Sequence, residues 1–346
     1  WPGLVSRNST RRGACVGSAK LHDTRASFAQ ICIYFRFSKY TGGSHLLASC
    51  CENYIVTEPM VLSQEINYKQ TGLSAGWRNT RMTAVEFIQS LLVAGVAVSP
   101  LLGLPGFSLD LVVLDWLHVV DLGIGADVLG NLFHEVTHFP CPLFPANSKE
   151  FRLDMLWQKL QAWYKAVKPA ARLDNLTFEM FATKNGKPKL RAKGGECRYL
   201  LPFGALLAAE VANKHSTSHN HTVARMFQSL VELQRWVSGD HKPYNGETAS
   251  LLCRQCCVLY SALHSEAVAK GKPKLWDLKP KVHLLQELIE YQSVVLGNPR
   301  SFWCYRDESW CGFWAKASKR RGGANTVSMT PDRFLNRYRA LWEDDD

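Results

Sequence analysis

Apolar residues recur at helical spacing along most of the chain after residue 83. Thr83 and Glu86 have the spacing of a capping box ahead of an apolar run, which predicts that a helix begins there. Residues 109–114 form a short, mostly apolar run with two adjacent valines, typical of a buried strand that ends at Asp115. Residues 116–138 return to a helical pattern, in which Gly123 and Gly125 predict a bend.

The second half of the chain continues this helical period. Leu156, Leu160 and Trp163 share one helical face. Further helices are predicted over residues 199–213, 221–237, 246–268, 281–294, 301–319 and 331–342. Residues 1–75, by contrast, show little periodicity, and we expect them to be poorly ordered. These patterns predict a mainly α fold with a small α/β element.

The composition is that of a folded, basic protein. Hydrophobic residues make up 46% and charged residues 21% of the 346 residues, which is enough for a large core. The formal net charge of +11 favours a polyanionic partner, with DNA or RNA ahead of a membrane surface. The 11 cysteines are odd in number and irregularly spaced, which favours reduced thiols and a nuclear or cytoplasmic protein that is not secreted.

One uncharged stretch, residues 87–109, has the length of a membrane span. Pro100, Gly103 and Pro105 interrupt it, which favours a buried helix followed by a turn, and no membrane partner is expected. The first residue is Trp1 and not methionine, so we expect the sequence to be a fragment.

Residues 134–138 read His-Glu-Val-Thr-His, the pattern of zinc proteases. On a helix, His134 and His138 would share a face and bind zinc, with Glu135 as the general base. Pro140 and Pro142 end the helix directly afterwards, and no further histidine follows at the usual spacing. A zinc metalloprotease is therefore the alternative function.

Other cysteines and histidines are also candidate zinc ligands. Cys253, Cys256 and Cys257 lie inside an apolar helical stretch, where small buried core residues are the favoured interpretation. A second group comprises His215, His219 and His221.

Four further segments carry polar residues in a recognisable order. They are Asp115-Trp-Leu-His118-Val-Val-Asp121-Leu-Gly123, Lys193-Gly-Gly-Glu196-Cys-Arg198, Lys279-Pro-Lys-Val-His283 and Tyr305-Arg-Asp-Glu308. The first resembles the D-x-M-H…L-G block of CACTA-type (EnSpm/Plavaka-like) DDE transposases, and the third resembles their P-K-x-H segment. The second is similar to a polar segment of their helical insertion, and Glu308 falls where their last catalytic acid is expected. The resemblance covers about residues 77–342.

The resemblance implies an RNase H-like catalytic core remnant with a large helical insertion. It divides the chain into a poorly ordered or non-native segment over 1–75, a partial RNase H-like α/β element over 76–139, the helical insertion over 140–275, and C-terminal helices with the final acid over 276–346. In this family the D-x-x-H block usually follows the second catalytic Asp, and no first Asp stands on an evident first strand here. The resemblance therefore implies a domesticated or degenerate copy, incomplete as an enzyme.

DNA cleavage and strand transfer by such enzymes need two divalent ions held by carboxylates. The resemblance assigns catalysis to Asp115 and Glu308, with Asp110 or Asp121 as a candidate third carboxylate. The expected metal ligands are Asp115, His118, His283 and Glu308. Mg²⁺ or Mn²⁺ is the expected cofactor of an active enzyme, because both prefer oxygen ligands. A structural Zn²⁺ bound by Asp115, His118 and His283 is the other interpretation.

The expected partner is DNA, with a homo-oligomer left open. The predicted nucleic-acid contacts lie in two basic segments, namely Lys184, Lys187, Lys189, Arg191, Lys193 and Arg198 in the first and Lys319, Arg320 and Arg321 in the second. Three functions stay open at this point. They are a transposase-derived DNA-binding protein with residual or lost cleavage activity, a zinc metalloprotease, and a non-enzymatic helical interaction protein.

Overall fold

The computed structural model describes residues 68–79, 83–93, 112–182, 186–306 and 308–309. The α-helices are α1 (Ala84–Val93), α2 (Ala126–His138), α3 (Lys149–Val167), α4 (Phe178–Phe181), α5 (Gly194–Lys214), α6 (Ser218–Ser238), α7 (Gly246–Ala269), α8 (Pro280–Glu287) and α9 (Ser293–Leu296). Two π-helical stretches, Leu117–Gly125 and Leu288–Gln292, run directly into α2 and α9, and 3₁₀ turns lie at Gly76–Asn79 and Pro299–Ser301. These described parts contain no β-strand, which confirms the mainly α prediction.

The helix boundaries follow capping residues in the sequence. Thr83 and Glu86 form the predicted capping box, in which the Thr83 N–H donates to Glu86 Oε2 at 2.7 Å. Side chains of Ser148, Thr217 and Asn245 accept hydrogen bonds from backbone N–H groups in the first turns of α3, α6 and α7. These bonds satisfy donors that the helices themselves leave unpaired.

The Leu117–Gly125 π-helix and α2 form one continuous helix at the centre of the fold. α2 packs against α3, α4 and α5, and the π-helix packs against α5 and α8. The extended segment 186–193 crosses α2 at Gly130, where a Cβ would lie 2.5 Å from Lys189 Cα. Only glycine permits this close backbone approach. The Leu190 N–H donates to Ala126 O at 2.8 Å across the crossing.

One hydrophobic cluster joins the described parts of the three predicted segments 76–139, 140–275 and 276–346. Trp116, Phe203 and Trp276 are fully buried members of this cluster, one from each segment. Helices α5, α6 and α7 pack against one another in chain order, and Phe227 of α6 lies against Gly204 of α5. The three segments therefore share a single core.

The described part of the strand predicted over residues 109–114, residues 112–114, forms no strand element and contains a single β-bridge residue, Val113. The Gln292 side chain forms hydrogen bonds with the backbone there. Its Oε1 accepts from the Leu114 N–H at 2.8 Å, and its Nε2 donates to Val112 O at 3.3 Å. These are the groups that a neighbouring strand would need. Residues 109–111 lie outside the described residues, and no RNase H-like sheet is present in the described ranges.

Residues 68–79, which span the predicted boundary at residue 75, pack against the second π-helical stretch and α8. Thr71 is buried, and its carbonyl accepts from Gln286 Nε2 at 3.0 Å. Arg78 binds both carboxylate oxygens of Glu290, at 2.9 and 3.2 Å. The poor order predicted for the N-terminal segment otherwise falls on residues 1–67, which lie outside the described residues.

No helix within the described ranges is both long enough and apolar enough to cross a membrane. The uncharged stretch 87–109 is described only up to residue 93, where it belongs to α1.

Candidate metal centre and its surroundings

Asp115 stands before the first π-helical stretch and caps its first turn. Its Oδ2 accepts from the His118 N–H at 2.9 Å and lies 2.6 Å from His118 Nδ1. Its Oδ1 accepts from the Cys304 N–H at 2.9 Å. Burial would raise the pKa of Asp115, but hydrogen bonds from His118 and Cys304 outweigh it and lower the pKa below its ordinary value. The ionised carboxylate therefore joins two distant parts of the chain.

Cys304 brings a third donor atom to the same point. Its Sγ lies 3.5 Å from His118 Nδ1, and one donor atom from each of Asp115, His118 and Cys304 lies within 4.8 Å of the other two. Asp115 and Cys304 are buried, whereas 22% of the His118 side chain is exposed. Across the described residues, these three form the single group of three or more candidate metal ligands. We call them the Asp-His-Cys group.

The sequence identified Asp115 and His118 but did not identify Cys304. The predicted acid Glu308 is exposed and lies one helical turn further on, where its N–H donates to Cys304 O at 2.8 Å. Glu308 therefore lies outside the Asp-His-Cys group. A single cysteine between two aromatic residues has no ligand spacing, so no signal in the sequence marked it.

His283, the other predicted metal ligand, also lies outside this group. It is buried on α8, and its ring packs edge-on against Trp77 with 4.3 Å between the ring centroids. Its Nε2 is 3.9 Å from Glu287 Oε1. Burial, together with the charge of Arg78, lowers the pKa of His283 to about 4, so the ring is neutral at neutral pH.

Two further aspartates on the central helix, the candidate Asp121 and also Asp127, have different surroundings from Asp115. Asp121 is fully buried, and burial raises its pKa well above the ordinary value. Asp127 pairs with Lys279, with 2.6 Å between Oδ1 and Nζ. Asp110 lies outside the described residues.

The segment beginning at Lys279 packs directly on the segment beginning at Asp115. The Lys281 Nζ donates to the backbone carbonyl of His118. Gly123 leaves room for this side chain, since a Cβ there would lie 2.5 Å from Lys281 Cδ. Burial, with Lys189 close by, lowers the pKa of Lys281 to about 8. Burial therefore destabilises the charged form of the Lys281 amine.

The other two segments meet at the same place. Gly194, at the start of α5, packs against the Leu117 side chain. Arg198 donates to the Tyr305 hydroxyl at 3.0 Å, and its guanidinium lies 4.7 Å from the centre of the Trp303 ring. All four segments singled out in the sequence therefore meet at the Leu117–Gly125 π-helix. The segment that begins at Tyr305 does so through the preceding residue, Cys304, which bonds Asp115.

A second histidine–carboxylate cluster lies at the other end of α2. His219 Nε2 is 3.1 Å from Glu135 Oε2, and His219 Nδ1 is 2.9 Å from Glu266 Oε2. Burial would lower the pKa of His219, but the two carboxylates raise it to about 9, so the ring is charged at neutral pH. We call these three residues the Glu-His-Glu bridge. It lines a cavity of about 480 Å³ between α2, α6 and α7.

The His-Glu-Val-Thr-His motif divides between two environments. The rings of His134 and His138 stack with their centroids 4.0 Å apart, and His138 Nδ1 faces His134 O at 3.2 Å. Glu135 instead accepts from Trp276 Nε1 at 2.7 Å and joins the Glu-His-Glu bridge. Within the described ranges, no group of three candidate metal ligands includes His134, Glu135 or His138.

The other candidate zinc ligands have local roles. Cys253, Cys256 and Cys257 are buried in the core, which confirms the interpretation favoured from the sequence. Outside the bridge, His215 lines the cavity and His221 Nε2 lies 2.7 Å from Ser216 Oγ.

The first basic segment is largely engaged within the fold. Lys187 pairs with Asp277 at 2.7 Å, Lys189 donates to Leu122 O at 2.9 Å, and Arg198 donates to Tyr305 and Ser238. Arg191 and Lys193 are exposed, the Lys193 side chain by 88%. The other predicted contacts lie outside the described residues, namely Lys184, Lys319, Arg320 and Arg321.

Fold and site together define a mainly helical protein with a candidate metal-binding group of mixed oxygen, nitrogen and sulfur donors. Comparisons with protein-family models, curated protein sequences and solved structures gave no significant match. The contacts of the residues themselves are therefore the basis for a functional assignment.

Proposed function

We propose that the chain is a transposase-derived DNA-binding protein. The observation that carries this proposal is the meeting of four segments around the Leu117–Gly125 π-helix. These segments resemble blocks of CACTA-type transposases and are spread over residues 115 to 308 of the sequence. Segments that once formed one site are expected to stay neighbours after catalysis is lost, because a close-packed core resists their separation.

DNA binding is better supported by the described residues than DNA cleavage. Two-metal cleavage of a phosphodiester needs carboxylates that bridge two ions. Both oxygens of Asp115 accept hydrogen bonds, burial raises the pKa of Asp121 well above its ordinary value, and Glu308 lies outside the Asp-His-Cys group. The proposed protein therefore retains the architecture around Asp115 and binds DNA without using these acids for catalysis.

The phosphate contacts that we assign within the described ranges are Arg191 and Lys193. Both are exposed, next to the point where segment 186–193 crosses α2. Lys187, Lys189 and Arg198 are excluded from this role, because their charges are engaged in contacts between distant parts of the chain. The Lys193 Nζ also lies 3.6 Å from Glu196 Oε1, but this pair is local and the Lys193 side chain is 88% exposed. The formal net charge of +11 supports a polyanionic partner. Lys319, Arg320 and Arg321 remain proposed contacts on the sequence alone.

The test is fluorescence anisotropy with labelled duplex DNA over a range of salt concentrations. The double variant Arg191→Ala/Lys193→Ala is expected to reduce the salt dependence of binding by about two ion equivalents. The matched control Lys165→Ala/Lys214→Ala removes the same charge from exposed positions on α3 and α5 and is expected to retain the slope. Equal losses in both variants would reject the assigned surface. A folded chain that does not bind DNA even at low salt would instead favour a helical interaction protein.

A further inference from the structure

The Asp-His-Cys group joins a carboxylate oxygen, an imidazole nitrogen and a sulfur at one point. Thiolate sulfur and imidazole nitrogen are the ligands of Zn²⁺, whereas Mg²⁺ selects oxygen. We infer that Asp115 Oδ2, His118 Nδ1 and Cys304 Sγ form a Zn²⁺ site. This inference does not depend on the proposed DNA binding.

The separations between donor atoms suit a tetrahedral ion after one small movement. A tetrahedral Zn²⁺ with ordinary bond lengths places its nitrogen and sulfur ligands about 3.5 Å apart, and the observed distance from His118 Nδ1 to Cys304 Sγ is 3.5 Å. The 2.6 Å between Nδ1 and Asp115 Oδ2 is a hydrogen-bond distance. Zinc ligands of these types lie about 3.3 Å apart, so the carboxylate and ring must separate by about 0.7 Å. The partly exposed His118 side chain can make this movement.

The orientation of the imidazole distinguishes a metal site from a cysteine nucleophile with a histidine base. In a nucleophilic triad, the acid and the nucleophile bond to opposite ring nitrogens. Here Asp115 and Cys304 both approach Nδ1. The three donor atoms therefore face one common position and do not form a relay through the ring.

Zinc binding at this position has a defined proton balance. The ion binds the neutral imidazole through Nδ1, so the ring proton is carried on Nε2. Cys304 binds as the thiolate, and its proton is released to solvent. Binding replaces the hydrogen bond from Nδ1 to Asp115 and the contact between Nδ1 and Cys304 Sγ with metal–ligand bonds, and it breaks the S–H bond of Cys304.

The site would fasten the C-terminal part of the described chain to the central helix. Asp115 and Cys304 are 189 positions apart and are already joined by one backbone-to-carboxylate hydrogen bond. Zinc would add metal–ligand bonds across the same junction, next to a π-helical stretch of the kind that often marks a functional site. Its role is therefore structural, in holding residues 302–306 against the π-helix.

The experiment compares variants of the full chain after chelator treatment and dialysis. Cys304→Ser retains the backbone N–H that bonds Asp115 but loses the soft sulfur ligand. Cys141→Ser is the matched control, since Cys141 is a buried free cysteine outside the Asp-His-Cys group. Isothermal titration with Zn²⁺ is expected to show one equivalent fewer for Cys304→Ser, or binding at least about tenfold weaker, with no change for Cys141→Ser.

Titration with Co²⁺ reports the sulfur ligand directly. The unmodified chain and Cys141→Ser are expected to show a thiolate-to-cobalt charge-transfer band that is weaker in Cys304→Ser by the contribution of one thiolate. If Cys304→Ser does not fold by circular dichroism, His118→Gln replaces it in the Zn²⁺ titration, because it removes the nitrogen ligand while its backbone N–H can still bond Asp115. Equal Zn²⁺ binding by the unmodified chain and the folded variants would overturn the inference. Binding of Mg²⁺ in preference to Zn²⁺ would also overturn it.

Discussion

The two histidine–carboxylate clusters at opposite ends of the central helix use similar side chains in different ways. In the Asp-His-Cys group, Asp115 and Cys304 approach the same ring nitrogen of His118. In the Glu-His-Glu bridge, each nitrogen of His219 has its own carboxylate. The first arrangement brings three donor atoms close together, whereas the second places one carboxylate at each nitrogen of the His219 ring.

This difference decides what each cluster can do. A ring bonded through both nitrogens is held as a cation between two anions and connects α2, α6 and α7. A ring nitrogen approached by two further donor atoms leaves a common position that a metal ion can occupy. Residue types alone therefore do not distinguish a structural ion-pair bridge from a candidate metal site. The orientation of the imidazole relative to its partners distinguishes the two.

The largest expected effect comes from breaking the Glu-His-Glu bridge. His219→Ala leaves Glu135 and Glu266 without their shared cation and is expected to lower the free energy of unfolding by about 3 kcal/mol at neutral pH. Urea denaturation followed by circular dichroism measures the change. The matched control is His221→Ala, because His221 is exposed and lies two residues further along α6. This control is expected to change the free energy of unfolding by no more than about 0.5 kcal/mol. Equal costs for both variants would show that the bridge does not stabilise the fold.

The pH dependence of the bridge is the next effect in size. The pKa of His219 is raised from 6.5 to about 9, so its stabilising charge is fully present below pH 6.5 and is lost as the pH rises through about 9. The expected loss is about 2 kcal/mol between roughly pH 6 and pH 10.

Lys281 contributes with the opposite sign, because its lowered pKa of about 8 makes the fold more stable at higher pH. The measurement is therefore the difference in unfolding free energy between the unmodified chain and His219→Ala, in which the Lys281 contribution cancels. A difference that stays constant across this pH range would contradict the charged bridge.

The smallest expected effect concerns the Asp-His-Cys group without metal. Cys304→Ser retains the hydrogen bond from the backbone N–H to Asp115, so the metal-free variant is expected to lose only about 1 kcal/mol of unfolding free energy. Thermal unfolding in the presence of a chelator measures this cost. A loss as large as that of His219→Ala would mean that Cys304 is mainly a packing residue and would remove the contrast between the clusters.

The helices were predictable because their signals are local. Thr83 and Glu86 are three residues apart, and the side chain of Thr217 caps a helix that starts at the next residue. In the described residues 112–114 of the predicted strand, one set of backbone groups has a non-local partner: Gln292, 178 positions beyond Leu114, accepts from the backbone N–H that a strand partner would use. No pattern within residues 109–114 could indicate that competitor.

The sequence by itself determined the helical class and the main helix boundaries and singled out Asp115 and His118 as candidate ligands, since periodicity, capping and short motifs act within a few residues. Only the tertiary structure decided that Cys304 joins them, that Glu308 lies one turn away and that Glu135 faces His219. The pairing of Glu135 with His219 joins residues 84 positions apart, and that of Asp115 with Cys304 joins residues 189 positions apart. At such separations, the packing of helices around the common core determines which side chains meet, because the close-packed interior permits one arrangement of them.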